Sequence, residues 1–215
     1  MIRSTLLAAI SAVALAACTS APAENAATGS VEVADNVSNF DLAMTTVGSL
    51  VEDGNTQVAI DRLTQLLGDP SLTDEQLGEA LLRRGELRYS EDGYDIMGAI
   101  SDYEEIINTL PQTEAYPTAG VLLNQALEKA SSLEAQLNLP ETTRQEKFDI
   151  LMQLGKHQEA IDLMIANDLT PGNETLIAMY QIGYLCEGDE LTGRTYEAVE
   201  DDGTEHALRF CDFGK

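Results

Sequence analysis

The chain has 215 residues, room for one compact domain or two small ones. Hydrophobic residues make up 44% and aromatic ones 5%, with no tryptophan, so a core must be aliphatic. Asp and Glu number 37 against 12 Lys and Arg, a net charge of -25, which argues against nucleic-acid binding through phosphate contacts and against attraction to anionic lipid headgroups.

The chain starts with an address. Arg3 is the only charge before Glu24, and the apolar run from Leu6 to Ala17 is too short to span a membrane. A basic start, an apolar middle and small residues at the end predict a secretory signal peptide over residues 1–17. The run closes on Leu15-Ala16-Ala17-Cys18. This resembles the lipobox of bacterial lipoproteins. The resemblance implies a diacylglycerol on the Cys18 thiol, cleavage before Cys18 and acylation of the new amine. An ordinary signal peptide with an incidental cysteine is the alternative. Thr19 stands where an Asp favours inner-membrane retention in enterobacterial lipoproteins, so the resemblance implies an outer-membrane anchor and a periplasm-facing chain. Residues 18–37 are small and polar, and are expected to be a lipidated flexible tether.

From residue 38 the pattern is helical. Ala59, Ile60, Leu63, Leu66 and Leu67 share one face, as do Ala99, Ile100, Tyr103, Ile106, Ile107 and Leu110, and Ala160, Ile161, Met164 and Ile165. Gly54, Gly93 and Gly155 sit just ahead of helices, where positive φ would let the chain reverse. Thr73-Asp74-Glu75-Gln76 reads as a capping box, and Pro70, Pro111, Pro140 and Pro171 punctuate the ends. The expected helices are 38–52, 55–68, 73–90, 94–109, 113–137, 141–154, 156–167 and 173–187. The expected class is therefore all-α: about eight helices over residues 38–187, paired into a hairpin array.

Residues 81–111 resemble the tetratricopeptide repeat, a helix–turn–helix unit. Gly85 fits its small site in the first helix, Ala99 and Tyr103 the small and aromatic sites of the second, and Pro111 the closing proline. Gly54, Ala59 and Leu63 carry a weaker match over residues 40–71, and Leu151, Gly155, Ala160 and Met164 another over residues 141–170. The period is irregular, and helix 113–137 is expected to bridge two repeat blocks.

Residues 188–215 are acidic. Glu200-Asp201-Asp202-Gly203, flanked by partly alternating residues, signals a small β-hairpin, with a disordered tail as the alternative. With Cys18 given to lipid, Cys186 and Cys211 are left, and an exported pair normally forms a disulfide. A metal site is disfavoured: the chain has only His157 and His206, and a closed zinc site needs four ligands. His157, in a turn, is expected to face solvent.

No catalytic motif is found, and no cofactor is implied. One basic cluster, Arg83, Arg84 and Arg88 beside Tyr89, stands in the acidic field. Arg84 and Arg88 share a helical face and, with Tyr89, could clamp a partner's carboxylate. The bland reading is local pairing with Glu79 and Glu86. The expected function is a non-catalytic scaffold or adaptor that binds a protein or peptide of the cell envelope through the helical-repeat surface. The alternative is a structural subunit of an outer-membrane assembly or pilus machine. An envelope hydrolase built on Glu205, His206 and nearby acids is the weaker one.

Overall fold

The computed structural model describes residues 38–187, 194–200 and 202–211. The expected signal peptide, Cys18 and the tether lie outside the described residues. Eight α-helices run in order: α1 (Asn39–Glu52), α2 (Thr56–Leu67), α3 (Asp74–Tyr89), α4 (Ile96–Thr109), α5 (Ala115–Leu137), α6 (Arg144–Leu154), α7 (His157–Asn167) and α8 (Asn173–Gln181). Three strands follow: β1 (Leu185–Glu187), β2 (Tyr196–Val199) and β3 (Glu205–Phe210). The class is a helical-hairpin array with a small sheet at its end.

Local chemistry sets the helix starts. Ser38, Thr73 and Thr143 each cap the third residue onward, and Asp41, Gln76 and Glu146 return the bond, three capping boxes in all. The Thr143 box explains why α6 starts at Arg144 and not at 141. Gly54 and Gly155 take positive φ, 77° and 79°, as expected of reversals. Gly93 does not. Tyr94 takes the left-handed conformation there, with φ 48°, and Gly93 is needed because a Cβ would collide with the Leu87 carbonyl oxygen.

Three apolar clusters run along the array. The first joins α1, α2 and α3 through Phe40, Val47, Ala59, Leu63, Ala80 and Leu87. The second lies among α3, α4 and α5, around Leu81, Ala99, Tyr103, Ile106, Ala119 and Ala126. A Cβ on Gly85 would collide with the Tyr103 ring, so α3 and α4 approach closely at this pair. Tyr103 is fully buried, worth about 1.5–3 kcal/mol of apolar burial for a side chain of this size. The third cluster holds α6, α7, α8 and the sheet, around Phe148, Met152, Met164, Met179, Leu185 and Leu208. Leu137 of α5 packs against the second and third clusters alike, and α6 gives Ile150 and Leu154 to one and Phe148 and Met152 to the other. The long α5 thus joins two blocks by sharing its far end with α6.

The eighth helix is shorter than 173–187. It stops at Gln181, where Gly183 (φ 83°) turns the chain, the Gly183 amide donates to Tyr180 and the Tyr184 amide to Met179. This is the glycine-ended helix terminus in which the left-handed residue satisfies orphan carbonyls. Leu185–Glu187 then forms a strand, so the expected hairpin is the larger part of a three-stranded antiparallel sheet, ordered β1-β3-β2. The hairpin turn runs from Glu200 to Thr204, with Gly203 at φ 89°; Asp201 within it lies outside the described residues.

Candidate functional site

Arg84 and Arg88 are committed inside the fold. Asp102 of α4, only 2% exposed, receives Arg84 through two nitrogens, Nη2 at 2.6 Å and Nε at 3.0 Å. It also receives Arg88 Nη1 at 3.0 Å. Arg88 Nε reaches Asp95 at 3.2 Å, and Arg84 Nη1 donates to the Thr64 hydroxyl at 3.1 Å. Two guanidiniums thus converge on one buried carboxylate. The pairing alternative fits Arg84 and Arg88, with Asp102 in place of Glu79 or Glu86. Arg83 alone pairs locally, with Glu86 at 3.2 Å. Tyr89 is half-buried against α5, with Lys129 Nζ 4.9 Å from its ring centroid. The three residues expected to bind a partner therefore set the fit of α3 against α4 and α5.

Cys186 and Cys211 form the disulfide, with Cα atoms 5.0 Å apart. It ties β1 to the residue after β3. His157 does not face solvent: it is half-buried, its Nε2 donates to the Tyr94 carbonyl at 2.6 Å, and its ring meets Tyr184 edge-on. Glu205 and His206 are neighbours on β3 and point to opposite faces of the sheet. Among the described residues no group of three or more His, Cys, Asp or Glu is placed to hold a metal ion. No helix among them is long and apolar enough to cross a membrane.

What the tertiary structure adds is a cleft of about 520 Å³. Four separate segments wall it: the α1–α2 turn, the α3–α4 turn, α8 and the β2–β3 turn. Five carboxylates line it, Asp53, Asp92, Glu174, Glu200 and Asp202, together with Tyr94 and the amides of Asn55, Asn173 and Gln181; among the described residues no Lys or Arg joins them.

Its walls are held by side chains that bond to main chain. Gln57, buried on α2, donates to the carbonyls of Asp92 and Gly93 at 2.8 and 3.0 Å. His157 holds the same turn from the other side through Tyr94. Asn173 at the start of α8 pairs with both backbone groups of Val199, donating at 2.8 Å and accepting at 2.7 Å. Arg194 ties the approach to β2 onto Asp168 and Thr170 at 2.8 and 2.9 Å. These bonds bring the four segments together around the cleft.

Its field is negative. Burial pushes the Tyr94 hydroxyl above the ordinary tyrosine range, a bond with Thr175 offsets part of this, and Asp92, Glu174 and Asp149 push it further up. Hydrogen bonds from the Thr204 side chain and backbone hold Asp202 below the usual carboxylate range. A cleft lined by one sign of charge concentrates counter-charged ligands. No local signal in the sequence marks this site, because its carboxylates come from four distant segments. Comparison of the chain with protein-family models, with curated proteins and with solved structures finds no match.

Proposed function

We infer that this chain is a non-catalytic adaptor of the bacterial envelope, held to the outer membrane by lipid at Cys18 and facing the periplasm. It grips a basic segment of a protein partner in the acidic cleft. The observation that carries the reading is the convergence of five carboxylates from four segments on one cleft that, among the described residues, has no lysine or arginine in its lining. Long helical arrays suit this work, since their walls present extended surfaces to peptides and proteins. The lipid supplies place, the tether supplies reach, and the two together raise the local concentration of whatever is held.

A constitutive subunit of a larger machine would offer a broad apolar face. The exposed large apolar residues, among them Leu42, Val58, Met97, Val121, Leu127, Ile165 and Val199, are spread over α1, α2, α4, α5, α7 and β2.

Crosslinking in living cells tests the reading. The tagged full chain is compared with Cys18→Ser and with a charge-reversed Asp92→Lys/Glu174→Lys pair. A reproducible protein partner is expected, lost with Cys18→Ser, weakened by the charge reversal and released as salt rises, because exposed charges are screened. Equal capture by the charge-reversed protein, or no reproducible partner, overturns it.

A further inference from the structure

The inner face of the sheet has an apolar part and one polar row. Leu185, Leu208, Phe210, Tyr196 and Ala198 point toward α8 and the third cluster. At one end of that same face, one residue from each strand's line forms a row: Glu187, His206 and Glu200. His206 Nδ1 lies 2.7 Å from Glu187, and Nε2 lies 3.2 Å from Glu200. The ring, 9% exposed at its side chain, leans on Tyr180 of α8 with centroids 4.9 Å apart.

The Nδ1 contact is a hydrogen bond, while the Nε2 contact is a charge pair without hydrogen-bond alignment. A neutral ring has one N–H, so one of the two carboxylates would face a lone pair. The imidazolium attracts both carboxylates at once. The other groups around it do not change this balance. Asp202 in the turn adds negative charge, Tyr180 is neutral, and Glu205 points to the opposite face of β3. The basic groups of the sheet are turned elsewhere, Arg194 to Asp168 and Arg209 to the Thr195 hydroxyl. Glu200 belongs at once to this row and to the acidic cleft.

We propose that His206 is a pH-operated latch on the cleft: protonated, it ties the hairpin turn to β1 and holds the Glu200 carboxylate; neutral, it frees the turn and yields Glu200 to a cationic ligand. The latch stands on the Glu187–His206–Glu200 geometry alone, and its effect on ligands rests on the reading of the cleft as a site for basic segments. Hydrogen bonding to Glu187, only partly opposed by burial, and then the charges of Glu187 and Glu200 lift His206 above the ordinary 6.5. The sign follows. The folded-state value is raised, so the latch's contribution is complete below pH 6.5, while the carboxylates stay ionised, and is lost as pH rises through the raised value. Affinity for a cation moves the opposite way, because Glu200 becomes available as His206 loses its charge.

The test is a pH titration of the full chain by NMR, following the two histidine rings and the backbone amides of Val199 and Thr204. The His206 ring is assigned with His206→Gln. The expected His206 midpoint lies above 6.5, falls in Glu187→Gln and in Glu200→Gln, and is shared by the hairpin amides. A midpoint at or below 6.5, or hairpin amides that ignore it, overturns the latch. Binding of a deca-lysine peptide at constant ionic strength reads the consequence. It should tighten about fivefold between pH 6 and pH 8.5 in the native chain, the scale of one exposed charge pair, and not at all in His206→Gln. Binding without pH dependence in the native chain overturns the release of Glu200. Absence of deca-lysine binding at both pH values instead removes the cleft reading, and the ring titration still decides the latch.

Discussion

The α3–α4 hairpin and the C-terminal sheet each hold one charged group between two of opposite sign. In the hairpin the centre is Asp102 between Arg84 and Arg88, with side chains 2%, 13% and 19% exposed. In the sheet the centre is His206 between Glu187 and Glu200, whose flanking carboxylates are 50% and 36% exposed. The first triad uses guanidiniums, which keep their charge over the physiological range. It is sealed between helices and fixes their fit. The second uses the one side chain whose ordinary pKa lies in that range and sits at the edge of a cleft. The same arrangement of charge is a structural fastening in one region and a titrating one in the other. Burial and the identity of the central group make the difference.

The comparison breaks most visibly at Asp102. Asp102→Ala would leave two guanidiniums facing each other in a mostly buried site, and removing one partner of a buried pair typically costs about 3–5 kcal/mol. Chemical denaturation should show this loss across the whole helical array. A loss below 1 kcal/mol would mean that solvent already screens the arginines.

Next in size is the disulfide. The C-terminal sheet lacks a sealed triad and is held instead by the Cys186–Cys211 bond across 25 residues, worth about 3 kcal/mol by loop entropy. In Cys186→Ser/Cys211→Ser, hydrogen exchange should speed up over β1, β2 and β3 while α3 and α4 keep their protection. Uniform loss of protection would show that the two regions unfold as one.

Gly85→Ala sharpens the contrast within the array. Its methyl would enter the Tyr103 ring, an overpacking of the kind that costs about 1–3 kcal/mol. Thermal unfolding should fall accordingly, and the disulfide-bonded sheet should not compensate.

The smallest expected effect has the opposite sign. The Tyr103 hydroxyl is buried and has no hydrogen-bond partner among the described residues. Burial, together with the nearby charges of Glu86 and Asp102, holds it protonated, far above the ordinary tyrosine range. Tyr103→Phe removes an unsatisfied polar group and keeps the ring, so stability should be unchanged or rise by up to about 1 kcal/mol. A clear loss would reveal a partner for the hydroxyl, such as an ordered water.

The sequence by itself determined the helices and most of their ends. Apolar residues at helical spacing and capping residues act within one or two turns, so α1 to α7 could be read locally, as could the turn signal at Glu200–Gly203. Three local signals were misread: Thr143 with Glu146, which starts α6 later, Gly183, which ends α8 early and makes Leu185–Glu187 a strand, and Gly93, next to which Tyr94 takes the left-handed turn. The pairing of Cys186 with Cys211 was legible because the expectation of lipid on Cys18 leaves two cysteines. Other features were decided by tertiary structure alone. Arg84 and Arg88 looked like a surface cluster because Asp102 belongs to another helix. His157 looked exposed because the Tyr94 carbonyl that it binds comes from a distant turn. The cleft and the Glu187–His206–Glu200 row draw on turns, a helix and strands far apart in the chain. Electrostatic and hydrogen-bond partners are chosen by distance in space, and no periodicity along the sequence encodes that distance.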